Sequence, residues 1–487
     1  MRDLAKILSP LGVTCSALIV EHLRIDSREI QSGDAFIALR GHIQNGEEYV
    51  HAAFEQGAKC VLVDRESNVL PEDSRVIRVT DLKKRIAQIA ADFYGQPSEK
   101  MRLVGVTGTN GKSTTTAMIA NLAQLCDTPS AMIGTLGYGP VEQLTPLANT
   151  TPSSIDLQRI LATLKERAQL VAMEVSSHGL EQDRVDQSHF EAAVFTNLSR
   201  DHLDYHGSMQ AYANAKLKLF KTCQPRVSVL NIDDEYALQW LDEHTFNHLV
   251  VYGFKPAQHN FSQYVWFDDV QCSQCGIRAK IHTCWGDTDV ELPLFGLFNL
   301  YNLAASLATL LMLGYDLKAL LRAVSALKPV AGRMEATFTV NKPTCVVDYA
   351  HTPDALELAL KALQQHVPGN VVCVFGCGGD RDVGKRALMA QAAEKYANKV
   401  IITSDNPRSE DPDKIIADVK AGLSQPQYAY CQKDRALAIK YAIEQSPSNS
   451  VILIAGKGHE DYQIIGQQRI AFCDRQWVKT ILEGEGA

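Results

Sequence analysis

The run Leu103-Val104-Gly105-Val106-Thr107-Gly108-Thr109-Asn110-Gly111-Lys112-Ser113-Thr114 constrains the fold more than any other segment of the chain. A β-rich stretch leads into glycines, a lysine and two hydroxyl side chains, and then into a helix-forming sequence that begins near Ser113. Backbone amides of such a loop and the helix N-terminus cradle phosphate oxygens, and Lys112 adds a point charge for the β- and γ-phosphates. In the strict phosphate-loop register the first glycine would fall at Val106, so this is a variant loop. An incidental glycine turn is the weaker explanation, because strand, glycines, lysine and hydroxyls all coincide.

The rest of the chain repeats the alternation that this loop requires. Strand-like runs at 170–175, 192–196 and 227–230 are separated by helical or loop sequence, which predicts a mostly parallel sheet flanked by helices. Ahead of it, short apolar runs at 35–39 and 60–63 alternate with helix-like stretches up to a polar linker at 95–100. Beyond a Pro/Gly turn at 328–332 the pattern restarts, with strands at 344–349, 371–375, 399–403 and 451–455. The expectation is an α/β chain of three domains: a small one over 1–95, a central phosphate-loop domain with a mostly parallel sheet over 96–331, and a Rossmann-like domain over 332–487. At 487 residues the chain exceeds what one core supports. No repeat of 20–50 residues is visible.

Composition narrows the function. The formal net charge is −8 and no long Lys/Arg run exists, which disfavours a general nucleic-acid grip. Residues 1–20 carry no export pattern. Twelve cysteines are scattered along the chain, as expected of free thiols in a reduced cytoplasm, and the close pair Cys272 and Cys275 has no second half at zinc spacing. Residues 292–315 hold no charge, yet Pro293, Gly296, Asn299, Asn302 and Ser306 interrupt them; a buried helix is expected rather than a membrane span.

ATP brings Mg²⁺, which prefers hard oxygen ligands, and Ser113 or Thr114 can supply one. Glu174, at the end of an apolar strand, and the cluster Asp201-His202-Leu203-Asp204-Tyr205-His206 after another strand supply carboxylates and imidazoles where ligands of open α/β sheets gather. Each alone would more often be surface or core filler; two polar clusters beside a phosphate loop shift the balance to function.

Together these blocks resemble the Mur ligases of peptidoglycan synthesis. The resemblance spans nearly the whole chain and rests on Asp26-Ser27-Arg28, the loop at 108–114, Asn149-Thr150-Thr151-Pro152, Glu174-Val175-Ser176-Ser177-His178-Gly179, Gly332-Arg333-Met334-Glu335 and Asp348-Tyr349-Ala350-His351. Further on come Gly378-Gly379-Asp380-Arg381-Asp382, Asp405-Asn406-Pro407-Arg408 and Gly456-Lys457-Gly458-His459-Glu460; the last two point to the diaminopimelate-adding members.

The resemblance implies an ATP-dependent ligation that joins meso-diaminopimelate to the γ-carboxylate of D-Glu in UDP-MurNAc-L-Ala-D-Glu through an acyl phosphate, in the cytoplasm, by a monomer with no membrane insertion. It assigns Ser27, Arg28 and His42 to the uridine diphosphate end, and Asn149, Thr150, Thr151, Ser176, Gln182 and Arg184 to the muramoyl-peptide. ATP falls to Gly108, Thr109, Asn110, Gly111, Lys112, Ser113 and Thr114, with Asn302, Arg333 and Asp348 around the nucleotide. Lys112, Glu174, His202 and a carbamylated Lys216 carry the catalysis, and Ser113, Glu174, His202 and the Lys216 carbamate hold Mg²⁺. Diaminopimelate falls to Arg408, assisted by Arg381, Asp405, Asn406, Gly456 and Glu460. The lysine-adding ligases and the folate polyglutamate ligases are the nearest alternatives, disfavoured by Arg408 and by the front domain respectively. A nucleotide-driven switch or motor would leave the motifs after residue 332 unexplained.

Overall fold

The computed structural model describes residues 2–40, 45–70, 72–254, 261–367 and 369–483, so His42 lies outside the described residues. The chain divides into two compact units, Met1–Val251 and Tyr252–Ala487.

The first unit holds three sheets, the smallest of them the antiparallel pair Arg2–Asp3 with Ile19–Val20. Near the N-terminus, Leu23–Arg24, Ala35–Ile37, Cys60–Asp64 and Val76–Val79 pair in that order, all parallel. The helix Leu82–Tyr94 buries Leu82, Ile89, Ala90 and Phe93 in their core and ends at Gly95, whose φ of 77° suits the left-handed helix stop. The larger sheet runs in the order Leu249–Gly253, Val227–Asn231, Ala192–Phe195, Arg102–Thr107, Leu170–Glu174, Ser130–Gly134, Gly137–Gly139. The phosphate-loop strand Arg102–Thr107 is central, parallel to a neighbour on each side, and buried from Leu103 onward. Such strands read as continuous apolar runs because helices cover both faces.

Register then fixes where function can sit. Glu174 pairs with Val106 and Phe195 with Thr107, so the carboxyl ends of three parallel strands open at one level around the phosphate loop.

The second unit begins with an antiparallel meander, Tyr264–Ser273, Gly276–Thr283 and Thr288–Leu292. It was not anticipated; its alternating buried and exposed residues follow the strand period over a stretch with few β-branched runs. The uncharged segment forms the buried helix Phe298–Met312, and no helix of the described residues is long and apolar enough to cross a membrane. Next comes a six-stranded sheet in the order Glu335–Thr337, Thr344–Asp348, Val451–Ala455, Val371–Phe375, Lys399–Thr403, Tyr430–Gln432, parallel except for its first edge. Asp348 pairs with Ala455, so the loops that begin at Tyr349 and Gly456 leave the sheet side by side.

Candidate active site

In the first unit the phosphate loop is shaped by two glycines with positive φ, Gly108 at 150° and Gly111 at 83°. A Cβ on Gly108 would collide with Thr196 Oγ1, which donates to the Asn110 carbonyl at 2.7 Å. The neighbouring strand end grips the loop further: Asn110 N donates to Asn197 Oδ1 at 3.0 Å, and Thr109 Oγ1 lies 3.2 Å from Tyr212 OH. The helix Lys112–Leu125 starts directly behind the loop, so its N-terminal amides and dipole face the same space.

Lys112 Nζ donates to the carbonyls of Gly108 and Thr109 at 2.9 and 2.8 Å. Lys216, on the helix Met209–Lys221, is 1% exposed and its Nζ donates to the same Gly108 carbonyl at 2.7 Å. Burial, reinforced by the Lys112 charge, holds the Lys216 ammonium well below its ordinary range.

Glu174 is 1% exposed, and its Oε1 accepts from Thr135 N at 2.8 Å. Gly134 leaves the room that the carboxylate fills, since a Cβ there would overlap it. Thr135 Oγ1 lies 3.0 Å from Thr150 Oγ1, and Thr151 Oγ1 donates to the Glu174 carbonyl at 3.0 Å while accepting from Ser176 N at 2.9 Å. Arg184 Nη1 donates to the Thr151 carbonyl at 2.8 Å, and its Nε and Nη2 reach Gln182 Oε1 at 3.0 and 2.6 Å. Thr150, Thr151, Glu174, Ser176, Gln182 and Arg184 thus form one connected cluster, with Thr135 as a member that sequence reasoning missed; its one signal is its place just after a strand end.

His202 begins the short helix Leu203–His206 with φ 53°. Its ring centroid lies 5.0 Å from that of His178, which sits 5.5 Å from His206. Burial and then the neighbouring imidazoles lower the His178 pKa; burial leads the same shift at His206, whose Nε2 lies 2.9 Å from Ser177 Oγ. The hard oxygen donors Glu174 and Ser113 suit a magnesium ion, whereas an ammonium at Lys216 does not and a carbamate there would. Ser27 and Arg28 stand apart on a 3-10 turn, with the Arg28 guanidinium 87% exposed and paired to Asp26 at 2.6 Å.

In the second unit Asp348 accepts from Met334 N and Ala350 N, both at 2.8 Å. Burial raises its pKa, and the Arg333 charge opposes that. Arg333 stacks over the Tyr349 ring at 4.7 Å, and its Nε is buried without a hydrogen-bond partner among the described residues. Asn302 is buried in its helix and donates to Asn299 Oδ1 at 3.0 Å.

The loops after Thr403 and Ala455 come together as a second cluster. Asp405 and Asn406 are 8% and 4% exposed. Asn406 Nδ2 donates to Glu460 Oε2 at 3.0 Å, and Gly456 has φ 116°, where a Cβ would collide with Asp405 Oδ2. Arg408 is half-buried, held at φ 53° by bonds to the hairpin Tyr462–Ile465/Gln468–Ala471: its N donates to Ile464 O at 3.0 Å and its O accepts from Gly466 N at 2.7 Å. Arg408 Nη1 donates to the Gly379 carbonyl at 2.7 Å, while Arg381 is exposed in the same loop region. Sequence reasoning did not assign a role to Lys457, Arg435 or Asp474, which turn out to underlie this cluster.

Comparison with known proteins bears on this arrangement. The family model described as the Mur ligase middle domain matches residues 106–310, that of the Mur ligase glutamate ligase domain matches 332–458, and that of the Mur ligase family catalytic domain matches 19–94. The chain is 44% identical over 475 residues to the UDP-N-acetylmuramoyl-L-alanyl-D-glutamate--2,6-diaminopimelate ligase of Vibrio cholerae, covering 96% of this chain and 95% of that one. It is 43% identical over 490 residues to the Vibrio vulnificus protein of the same name, covering 99% and 98%. A solved structure of a UDP-N-acetylmuramoyl-L-alanyl-D-glutamate--2,6-diaminopimelate ligase matches with a TM-score of 0.69 at 37% identity, over 96% and 95% of the two chains. A Thermotoga maritima MurF ligase in complex with ADP shares the fold, with a TM-score of 0.67 at 17% identity over 96% and 99%.

Proposed function

This chain belongs to the Mur ligase family, and we propose that it adds meso-diaminopimelate to the γ-carboxylate of D-Glu in UDP-MurNAc-L-Ala-D-Glu, consuming ATP and supplying a peptidoglycan precursor in the cytoplasm. The observation that carries the proposal is the pairing, in one family member, of a phosphate loop beside buried Glu174 with the Asp405, Asn406, Arg408 and Glu460 cluster.

The chemistry accounts for the inventory. A carboxylate is a poor electrophile, so a γ-carboxylate oxygen of the substrate attacks the γ-phosphorus of ATP, the bond to the β-bridging oxygen breaks, and ADP leaves. The amine of diaminopimelate then attacks the acyl carbon; phosphate departs with the former carboxylate oxygen and the nitrogen gives up a proton. Phosphoryl transfer needs positioning and charge compensation more than covalent help. The loop at 108–114 and Lys112 take the β- and γ-phosphates, and His202 adds charge compensation. Ser113, Glu174, His202 and a carbamate on Lys216 would hold Mg²⁺, which supplies charge neutralisation on the phosphate oxygens. Depression of the Lys216 pKa favours the neutral amine that adds CO₂.

Substrate roles follow the clusters. Thr150, Thr151, Ser176, Gln182 and Arg184, with Asn149, hold the muramoyl-peptide, and Ser27 and Arg28 take its uridine diphosphate end. Asn302, Arg333 and Asp348 serve the nucleotide; the buried Nε of Arg333, without a hydrogen-bond partner among the described residues, supports a ligand there. Arg408 receives the far carboxylate of diaminopimelate, and Asp405 and Glu460 receive its far ammonium, with Asn406, Gly456 and Arg381 beside them. In this reading the three roles fall to three domains, over 1–95, 96–331 and 332–487. Mass spectrometry of the product formed from UDP-MurNAc-dipeptide, ATP and Mg²⁺ with either diaminopimelate or lysine tests the proposal: the diaminopimelate tripeptide is expected, and a lysine product formed as readily would overturn it.

A further inference from the structure

Lys457 follows the strand Val451–Ala455 by two residues and is 0% exposed. Its Nζ donates to Asn406 Oδ1 at 3.2 Å and to Glu460 Oε2 at 3.0 Å. The same Glu460 oxygen accepts from Asn406 Nδ2 at 3.0 Å, and Asn406 Oδ1 also accepts from Ile464 N at 3.0 Å. The three side chains therefore close a ring of hydrogen bonds, with the ammonium at its sealed end. Burying an ammonium is costly unless it is paired, and an apolar residue of similar length would fill the space without that cost. What the charge gains is orientation of a carboxylate. Glu460 keeps 16% side-chain exposure, its Oε2 is engaged inward, and among the described residues no hydrogen bond engages Oε1.

We infer that Lys457 is a positioning residue: its buried ammonium fixes the Glu460 carboxylate and the Asn406 amide so that Glu460 Oε1 meets the far ammonium of the incoming amino acid. The inference rests on the diaminopimelate site proposed above. Without Lys457 both acceptors lose their shared donor: among the described residues Asn406 Oδ1 keeps only Ile464 N and Glu460 Oε2 keeps only Asn406 Nδ2. The carboxylate is then held by one bond instead of two, and its outward oxygen is less firmly placed. Arg408, which reads the far carboxylate, is held by the Gly379 carbonyl and the hairpin instead, so its part of the site survives.

The probe is 2-aminopimelate, which keeps the attacking amine and the far carboxylate but lacks the far ammonium. In Lys457→Met, kcat/KM for diaminopimelate is expected to fall roughly 10- to 100-fold, less than for outright loss of a charged contact because Glu460 itself remains, while kcat/KM for 2-aminopimelate changes less than about 3-fold. KM values for ATP and the nucleotide substrate stay near wild type. An equal loss for both amino acids would make Lys457 a mere packing residue, and no loss for either would remove it from the site; both overturn the inference. If Lys457→Met does not fold, Lys457→Gln gives the same comparison. A Glu460→Gln background adds a check: there Lys457→Met should cost less than about 3-fold more for diaminopimelate, whereas full additivity contradicts action through Glu460. Absence of any diaminopimelate product from the wild-type protein would instead refute the proposed function, a separate result from any of these.

Discussion

Lys112 and Lys216 donate to one acceptor, the carbonyl oxygen of Gly108, at 2.9 and 2.7 Å. Two ammonium groups so close repel, and the buried one yields: Lys216 is held well below its usual pKa by burial first and by Lys112 second. The sign for stability follows. Between the depressed folded value and the unfolded value of 10.5 the unfolded chain binds more protons, so the contribution is complete above 10.5 and is lost as pH falls through the folded value. In CO₂-free buffer, the rise of stability with pH is expected to be shallower in Lys216→Met than in wild type; identical slopes would contradict the assignment. With ¹³C-bicarbonate, the wild type should show a carbamate carbon signal that Lys216→Met lacks, and Lys216→Ala should be nearly inactive yet partly restored by short carboxylic acids.

Arg408 is expected to select the amino acid, because diaminopimelate and lysine differ by one carboxylate and only the former offers a partner for the guanidinium. Arg408→Ala should lose roughly 30-fold to several-thousand-fold in kcat/KM for diaminopimelate, the effect of leaving one partner of a charge pair unmatched. Use of lysine should change little. Specificity constants for both amino acids decide this; equal losses would remove Arg408 as the selector.

Arg435 and Asp474 form a bidentate pair at 2.7 Å on both arms, with both side chains 0% exposed. Arg435 also donates to the carbonyls of Ser404 and Ala455, the residues just before Asp405 and Gly456. Removing one partner of such a buried pair costs about 3–5 kcal/mol. Asp474→Asn should therefore lower the urea midpoint for unfolding strongly, and a midpoint within error of wild type would contradict the pairing.

His366 closes a buried junction of three segments within the second unit: its Nε2 accepts from Gly296 N at 2.9 Å and its Nδ1 donates to Ser273 O at 2.8 Å, beside the Phe295 ring. Burial lowers its pKa from 6.5, against the opposing pull of the Ser273 carbonyl. The unfolded state thus binds more protons below 6.5, so this contribution is full above 6.5 and is lost as pH falls through the folded value. Thermal unfolding from pH 7 down to pH 5 should show a smaller loss of Tm in His366→Gln than in wild type, measured from each protein's own value at pH 7.

Much of this was legible because parallel strands advertise themselves. The apolar runs that end at Glu174, Phe195, Thr403 and Ala455 are continuous, and function gathers where such runs stop. The meander over 264–292 was hidden, since half-exposed antiparallel strands alternate polar residues such as Asp268, Gln271, Arg278 and Lys280 with their buried ones. The supporting side chains were hidden for another reason. Lys457 reaches Asn406, Arg435 reaches Asp474 and Thr135 reaches Glu174 across 51, 39 and 39 positions, and such pairings leave no periodicity in one sequence. Lys216 was found only through family resemblance; nothing in Ala213-Asn214-Ala215-Lys216-Leu217 distinguishes it from Lys218 or Lys221, although the fold buries it and leaves Lys221 exposed.

In the proposed reaction this chain activates a carboxylate by phosphorylation before diaminopimelate attacks. This step is tested most directly with UDP-MurNAc-L-Ala-D-Glu carrying ¹⁸O in the γ-carboxylate, following the label by mass spectrometry in a complete reaction with ATP, Mg²⁺ and diaminopimelate. One ¹⁸O atom should appear in the released phosphate for each amide formed, and the tripeptide should keep the other. Phosphate released without label while amide accumulates would contradict the account.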